Sequence, residues 1–298
     1  MLTVVTGAAG FVGQAVVSHM RDQGYPGVVR LLDRAPIAPS GPFERHVVDL
    51  LARDSWEPLL DGANRVLHLA ALPGGASEAD PRRSRALNLD ATLDMLEGAS
   101  RQRARLVCAS SIAVFGVPLP EQVDDATPPL PSMTYGTHKR MAELALADGV
   151  RRGDLNAIAL RLPGIVARPG SSAGFRSAFL NDLFWSMQSG KRLALPVSPG
   201  ATSWLMSARR CAANLVHALE IGVAEPVVTL PALHVRIEAL VAAVARRVGG
   251  DAHLIDYAPD AALEAQFGAY PPLITPAAER LGFRHDGDMD SLVTAVVG

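Results

Sequence analysis

Within its first thirteen residues the chain passes from a β-prone stretch, Leu2–Val5, into Thr6-Gly7-Ala8-Ala9-Gly10-Phe11-Val12-Gly13, and then into residues where Val16, Val17 and Met20 recur with helical spacing. Glycines three apart let the backbone turn sharply and lie close against whatever it meets. A strand that ends in such a turn and opens a helix suits a pyrophosphate, because the helix N-terminus presents amide N–H groups and the positive end of its dipole. Gly7, Gly10 and Gly13 are therefore candidate dinucleotide contacts.

Similar short apolar runs recur along the chain at Val28–Leu32, Arg65–Leu69, Arg105–Ala109, Ala157–Leu162 and Val227–Leu230, each followed by a helical pattern. One such pattern is 86–99, where Leu89, Leu93 and Leu96 fall on one face. Near-continuous aliphatic runs are what strands covered by helices on both sides look like. The alternation predicts an α/β fold, a Rossmann-type doubly wound parallel sheet. It breaks after Pro163, where Pro169, Pro196 and Pro199 and several glycines and serines interrupt the pattern, and a helix is expected over 235–248. The expected division is a dinucleotide-binding domain of 1–165, rejoined by 207–230, and a smaller C-terminal substrate lobe made of 166–206 and 231–298.

A chain of 298 residues with a formal net charge of −2 has no basic field to gather nucleic acid, so a small-molecule substrate is the expected partner. Cys108 and Cys211 form no CxxC pair and no His-rich tract accompanies them. Neither a disulfide framework nor a metal site is expected, and a reducing cytoplasm fits. No leader pattern is visible, and no apolar run approaches the ~20 residues a membrane-spanning helix needs.

Asp33 stands twenty residues beyond Gly13, at the end of the second strand, where a carboxylate can accept hydrogen bonds from the adenosine-ribose hydroxyls. That favours NAD as cofactor over NADP. The neighbouring Arg34 pulls the other way, since a guanidinium can grip a 2′-phosphate, or it can lie across the adenine. Further on, Tyr135-Gly-Thr-His-Lys139 sets a phenol and an ammonium four residues apart, on one helix face. A free phenol titrates near ~10, and an adjacent ammonium favours the phenolate, so Tyr135 suits a general acid or base with Lys139 as its neighbour. Lys139 can also hydrogen-bond the nicotinamide ribose. Upstream, the strand 105–109 ends in Ser110-Ser111, hydroxyls at the carboxyl edge of the sheet where open α/β folds bind ligands. Ser111, with Ser110 as the alternative, is placed to hydrogen-bond a substrate oxygen while Tyr135 exchanges its proton.

Taken in order, these residues resemble the extended short-chain dehydrogenase/reductase family, which contains epimerases, dehydratases and dehydrogenases. Asp49-Leu50 matches its acidic-Leu pair, His68-Leu69-Ala70-Ala71 a strand end, Asn88-Leu-Asp-Ala-Thr92 its NxxxT helix, and Ser110 to Gly116 its Ser-Ser-x-x-Val-Tyr-Gly stretch with Phe115 for the Tyr. The resemblance implies that Phe11 and Val12 offer backbone N–H groups to the pyrophosphate and that Asp49 and Leu50 flank the adenine. It also implies that Leu69, Ala70 and Ala71 line the nicotinamide-side ribose, that Asn88 belongs to the cofactor site, and that Pro163 to Val166 pack on the nicotinamide. Its spacing selects Ser111 as the catalytic serine. Subunits of the family commonly pair through the NxxxT and YxxxK helices, so a homodimer is expected, although Leu93, Leu96, Met141 and Leu144 on those helices could equally face their own sheet.

Within the family, Arg161 to Gly170, the Gly75–Asp80 loop and the Leu195–Pro199 stretch with Trp204 and Ser207 look most like the erythronate-type dehydrogenases, which oxidise the hydroxyl beside the carboxylate of a four-carbon sugar acid with NAD. Gly75, Arg176 and Trp204 are accordingly candidate substrate contacts, with Arg168 a second possible anion contact and Trp204 able either to wall the pocket or to fill the lobe's core. One departure is Thr202, which stands where the family tends to carry an Arg, two residues before the aromatic. Without that guanidinium a diphosphate loses its clamp. The expected activity is hydride transfer between a nicotinamide and a small hydroxy acid, polyol or ketone. A nucleotide-sugar 4-epimerase with tightly held NAD, and a non-catalytic dinucleotide sensor, are the alternatives. Ile112 and Ala113 replace the acidic pair a dehydratase would carry after its serine.

Overall fold

A computed structural model of the chain describes residues 1–39, 41–168, 179–222 and 225–298. They form two compact units, one of 1–114, 133–162 and 211–229, the other of 115–132, 163–210 and 230–298. The sequence reading kept 115–132 with the nucleotide end. In the structure Val123 bridges to Leu273 and the Asp125 carboxylate accepts the Ala277 N–H at 2.8 Å, which ties that proline-rich segment into the second unit.

The first unit is built on seven parallel strands. Six are β1 (Leu2–Thr6), β2 (Val28–Asp33), β3 (Glu44–Val47), β4 (Arg65–His68), β5 (Arg105–Ser111) and β6 (Asn156–Leu162), joined by Val227–Thr229, and their order across the sheet is Val227–Thr229, β6, β5, β4, β1, β2, β3. Parallel pairing requires crossovers, and the helices that make them cover the sheet, which is why β1, β4, β5 and β6 read as almost unbroken apolar runs. β5 and β6 pair over seven residues, from Arg105 with Asn156 to Ser111 with Leu162. Trp56, Met95, Leu106 and Leu146 fill one side of this sheet. β3 has no apolar pattern because it is a largely exposed edge strand, Glu-Arg-His-Val.

The 86–99 helix is interrupted: 86–90 form a π-helical turn, and the α-helix Ala91–Gln102 follows. The wide turn rotates what comes after it. Leu89 and Leu96 are buried, whereas Leu93, expected on the same face, is 38% exposed.

The second unit contains a three-stranded sheet in which Thr202–Ser207 lies between Leu233–Arg236 and Gly164–Val166, and a parallel pair, Leu193–Leu195 with Ile255–Tyr257. Phe184, Leu240, Val244 and Leu292 are among its core residues. The helix expected over 235–248 begins at Ile237, its first two residues completing the strand before it. Among the described residues no helix is long and apolar enough to cross a membrane.

Candidate active site

The glycine turn sits at the carboxyl end of β1. Gly7 has φ of +71°, and a Cβ there would stand 2.6 Å from the Ala70 nitrogen; one on Gly13 would stand 2.1 Å from the Gly7 oxygen. Both positions therefore need glycine, one for its backbone angle and both for close approach. The helix Phe11–Asp22 that follows is capped by Gly10 with no side-chain hydrogen bond. A pyrophosphate fits such a cradle: only hydrogen projects from Gly7, Gly10 and Gly13, so the backbone can approach it closely where the helix begins. Phe11 and Val12 stand there half-buried.

Asp33 ends β2 beside this turn. One carboxylate oxygen accepts the Ala9 N–H and the other the Ala35 N–H, both at 2.9 Å. A carboxylate oxygen can accept more than one bond, so lone pairs remain for ribose hydroxyls. The two readings of Asp33, strand-end cap and ribose acceptor, are thus compatible. Arg34 is exposed.

At the end of β4 a chain of hydrogen bonds fixes one tautomer of His68. The Thr92 hydroxyl donates to the Asn88 carbonyl at 3.1 Å, so its oxygen takes the Nε2–H of His68, also at 3.1 Å. Nδ1 is left to accept from the Thr6 hydroxyl at 2.8 Å, and that oxygen in turn receives the Leu69 and Ala70 N–H groups. Burial, aided by the charge of Lys139, pushes the imidazole down to about 3, so it is neutral. Asn88, in the π turn, is fully buried; its side chain receives the Leu72 N–H and donates to the Leu72 carbonyl, Ser77 and Ser84. Asn88 thereby holds the backbone just beyond Leu69, Ala70 and Ala71.

At the end of β5, Lys139 is 2% exposed and donates to the Ala109 carbonyl at 2.8 Å. Its nitrogen lies 5.9 Å from the centre of the Tyr135 ring, one turn earlier on the helix Thr134–Arg152. Ser110 and Ser111 part ways here. The Ser110 hydroxyl is buried and donates to Glu143 at 2.6 Å, while the half-buried Ser111 oxygen accepts a 3.2 Å bond from the Ala113 N–H and so can still donate its own proton. The sequence reading missed Glu143 and its buried partner Arg161. The signals were there: Glu143 continues the four-residue spacing of Tyr135 and Lys139, and Arg161 interrupts an apolar strand.

Other expected site residues are placed as follows. Asp49 is exposed, its carboxylate accepting the Leu51 N–H. Leu50, expected beside the adenine, is 6% exposed within the core, and its carbonyl accepts the Trp56 indole N–H. Gly75 lies in the short helix Gly74–Ala79, whose Glu78 accepts the Thr134 N–H at the head of the Tyr135 helix. Pro163, Val166 and Trp204 belong to the second unit. The Trp204 ring is wholly buried, edge-on to Phe115 and 4.8 Å from Tyr270, with its N–H on the Pro271 carbonyl. Arg168 is half-buried, and Arg176 lies outside the described residues.

Residues 3–204 match the model of the NAD dependent epimerase/dehydratase family. A D-erythronate dehydrogenase of Cupriavidus necator is 32% identical over 99% of this chain and 97% of its own length, and one of Haemophilus influenzae is 29% identical over 98% of each. Among solved structures, a nucleoside-diphosphate-sugar epimerase from Agrobacterium tumefaciens is 29% identical, with a TM-score of 0.89 over 98% of this chain and 92% of its own. The glycine cradle, the parallel sheet and these matches agree, and the chain belongs to the NAD dependent epimerase/dehydratase family, as an oxidoreductase that works with a nicotinamide dinucleotide.

Proposed function

We propose that the chain is a dehydrogenase that passes hydride between NAD and a small hydroxy acid of the D-erythronate kind, with a related polyol or ketone as the wider substrate class. When bound, the nicotinamide supplies the hydride acceptor or donor. Ser111 hydrogen-bonds the reacting oxygen of the substrate, and Tyr135 takes its proton in oxidation and returns it in reduction. Lys139 favours the phenolate electrostatically and keeps N–H groups for the cofactor ribose. The observation that carries this reading is the Lys139–Ala109 bond, which anchors a buried ammonium at the carboxyl end of β5, two residues from Ser111 and one turn from Tyr135. The choice of substrate rests on the full-length likeness to the two D-erythronate dehydrogenases.

Gly7, Gly10, Phe11, Val12 and Gly13 are assigned to the pyrophosphate, Asp33 and Arg34 to the adenosine side, and Leu69 to Ala71 with Asn88 to the nicotinamide side. Asp33 supports NAD over NADP, because a 2′-phosphate brought to a carboxylate is repelled. We assign substrate choice to the second unit. The exposed Leu93, Met141 and Leu144 on the helices Ala91–Gln102 and Thr134–Arg152 support a homodimer, and the buried thiols of Cys108 and Cys211 suit a reducing cytoplasm.

The test is NADH formation by purified protein supplied with NAD and D-erythronate, alongside other 2-hydroxy acids. Turnover that vanishes in Tyr135→Phe is expected. The likeness to the sugar-nucleotide epimerase favours a second reading, in which NAD is retained and a nucleotide sugar is isomerised without net reduction. Against it stands Thr202, a neutral side chain whose hydroxyl donates to the Tyr270 carbonyl at 2.7 Å, where a diphosphate clamp would be charged. Isomerisation of a UDP-sugar without NADH would overturn the dehydrogenase reading.

A further inference from the structure

Glu143 follows Lys139 by one helical turn, the spacing at which an acid and a base on an exposed helix pair with one another. Here they do not use each other. Glu143 is 1% exposed, and both its oxygens are taken: Oε1 accepts from Ser110 Oγ at 2.6 Å and from Arg161 Nε at 2.9 Å, while Oε2 accepts from Arg161 Nη2 at 2.9 Å and from Arg140 at 3.2 Å. Lys139 meanwhile bonds the neutral carbonyl of Ala109. Consecutive residues of β5 thus receive consecutive turns of the helix, Ala109 the ammonium and Ser110 the carboxylate, with the β6 residue Arg161 closing the fork. Burying an ion pair is a poor way to gain stability, since desolvation offsets most of the attraction and well-packed apolar replacements are often neutral. What the pair does supply is geometry.

We infer that Glu143 and Arg161 are positioning residues for the proton-transfer helix: the bidentate fork fixes the height of Tyr135 and Lys139 over Ser111, and it keeps Glu143 from pairing with Lys139, so that the ammonium's charge stays available to the phenol. The inference rests on the Tyr135/Lys139 reading above. Without Arg161, Glu143 keeps only the Ser110 hydroxyl and the longer 3.2 Å bond from the partly exposed Arg140, so it is held less firmly and is free to swing toward Lys139, whose charge it would then offset.

The experiment measures kcat and KM for D-erythronate oxidation in Arg161→Met and in Glu143→Leu/Arg161→Met, with thermal melts to confirm folding. Arg161→Met should lose about 100-fold in kcat while KM moves by less than ~threefold, and the double variant should recover at least about tenfold of that loss despite carrying more changes. A role in stability alone also lets the double variant recover, but only in its melting temperature; with rates taken well below the melt of each variant it leaves kcat unchanged in both. A folded Arg161→Met with wild-type kcat, or a double variant no faster than the single, overturns the inference. If Arg161→Met does not fold, Ser110→Ala decides: a drop of about threefold or more in kcat, reversed by Ser110→Thr, supports the fork, and wild-type turnover overturns it. Tyr135→Phe in the same assay separates the two levels, because activity retained there removes the proton-relay reading itself, whereas its loss beside an unaffected Arg161→Met removes only the fork.

Discussion

Lys139 is bonded through its ammonium to the neutral carbonyl of Ala109 at 2.8 Å, almost wholly out of water, with no carboxylate of the described residues in a salt bridge to it. Burying a charge against one neutral carbonyl costs stability, so an ammonium kept there is better explained by function than by folding. Lys139→Met should therefore cost activity far more than stability. We expect kcat to fall by about 100-fold or more, while the melting midpoint changes by only a few degrees, since a methionine fills the same channel and leaves one carbonyl unpaired. Turnover and thermal unfolding of the same preparation check this.

Replacing Gly7 by Ala places a methyl 2.6 Å from the Ala70 nitrogen and demands a positive φ of an ordinary residue. The turn must move, and with it the cradle. A loss of about 1–3 kcal/mol in folding stability is expected, together with a dinucleotide affinity at least about tenfold weaker by calorimetry.

Asp33→Ala should lower the ratio of NAD to NADP efficiency by about tenfold, because the carboxylate that repels a 2′-phosphate is gone. Kinetics with both cofactors give the ratio, and an unchanged value would show that Asp33 does not meet the ribose.

His68 sets the acid side of the stability profile. Its folded value, about 3, lies below the ordinary 6.5, so between these the unfolded chain binds a proton that the folded chain refuses. Stability contributed by the neutral imidazole is full above 6.5 and falls as pH drops through that window, by on the order of 1 kcal/mol per unit. Urea midpoints at pH 7, 6 and 5 should show the slope, and His68→Gln, which cannot titrate, should flatten it.

Leu144 is 54% exposed and Met141 46%, on the helix that carries Tyr135. If two subunits meet there, Leu144→Glu should halve the mass seen by light scattering without altering the circular dichroism spectrum. An unchanged mass, whether of a monomer or of a dimer, would locate the contact elsewhere or nowhere.

The parallel sheet was legible in the sequence wherever strands are covered on both faces, because hydrophobic pattern and burial then coincide: Leu2, Val28, Arg65, Arg105 and Val227 each begin a strand where an apolar run begins. β3 was not, since an exposed edge strand needs no apolar residues. Leu93 misled because a π turn shifts the phase of a helix by a fraction of a turn that spacing alone does not reveal. The glycine turn and the Tyr135/Lys139 pair were visible as short spacings along the chain. Glu143 and Arg161 belong to different elements, 18 residues apart, and only folding brings their charges together.

The tether between Asp33 and Ala9 has a bearing on how this enzyme could change its cofactor. On the proposed reading one side chain both discriminates at the ribose and, through the Ala9 amide, steadies the glycine turn, so selection for a phosphorylated cofactor cannot simply delete it. Any lineage, or any protein engineer, making that switch must first find another acceptor for the Ala9 amide.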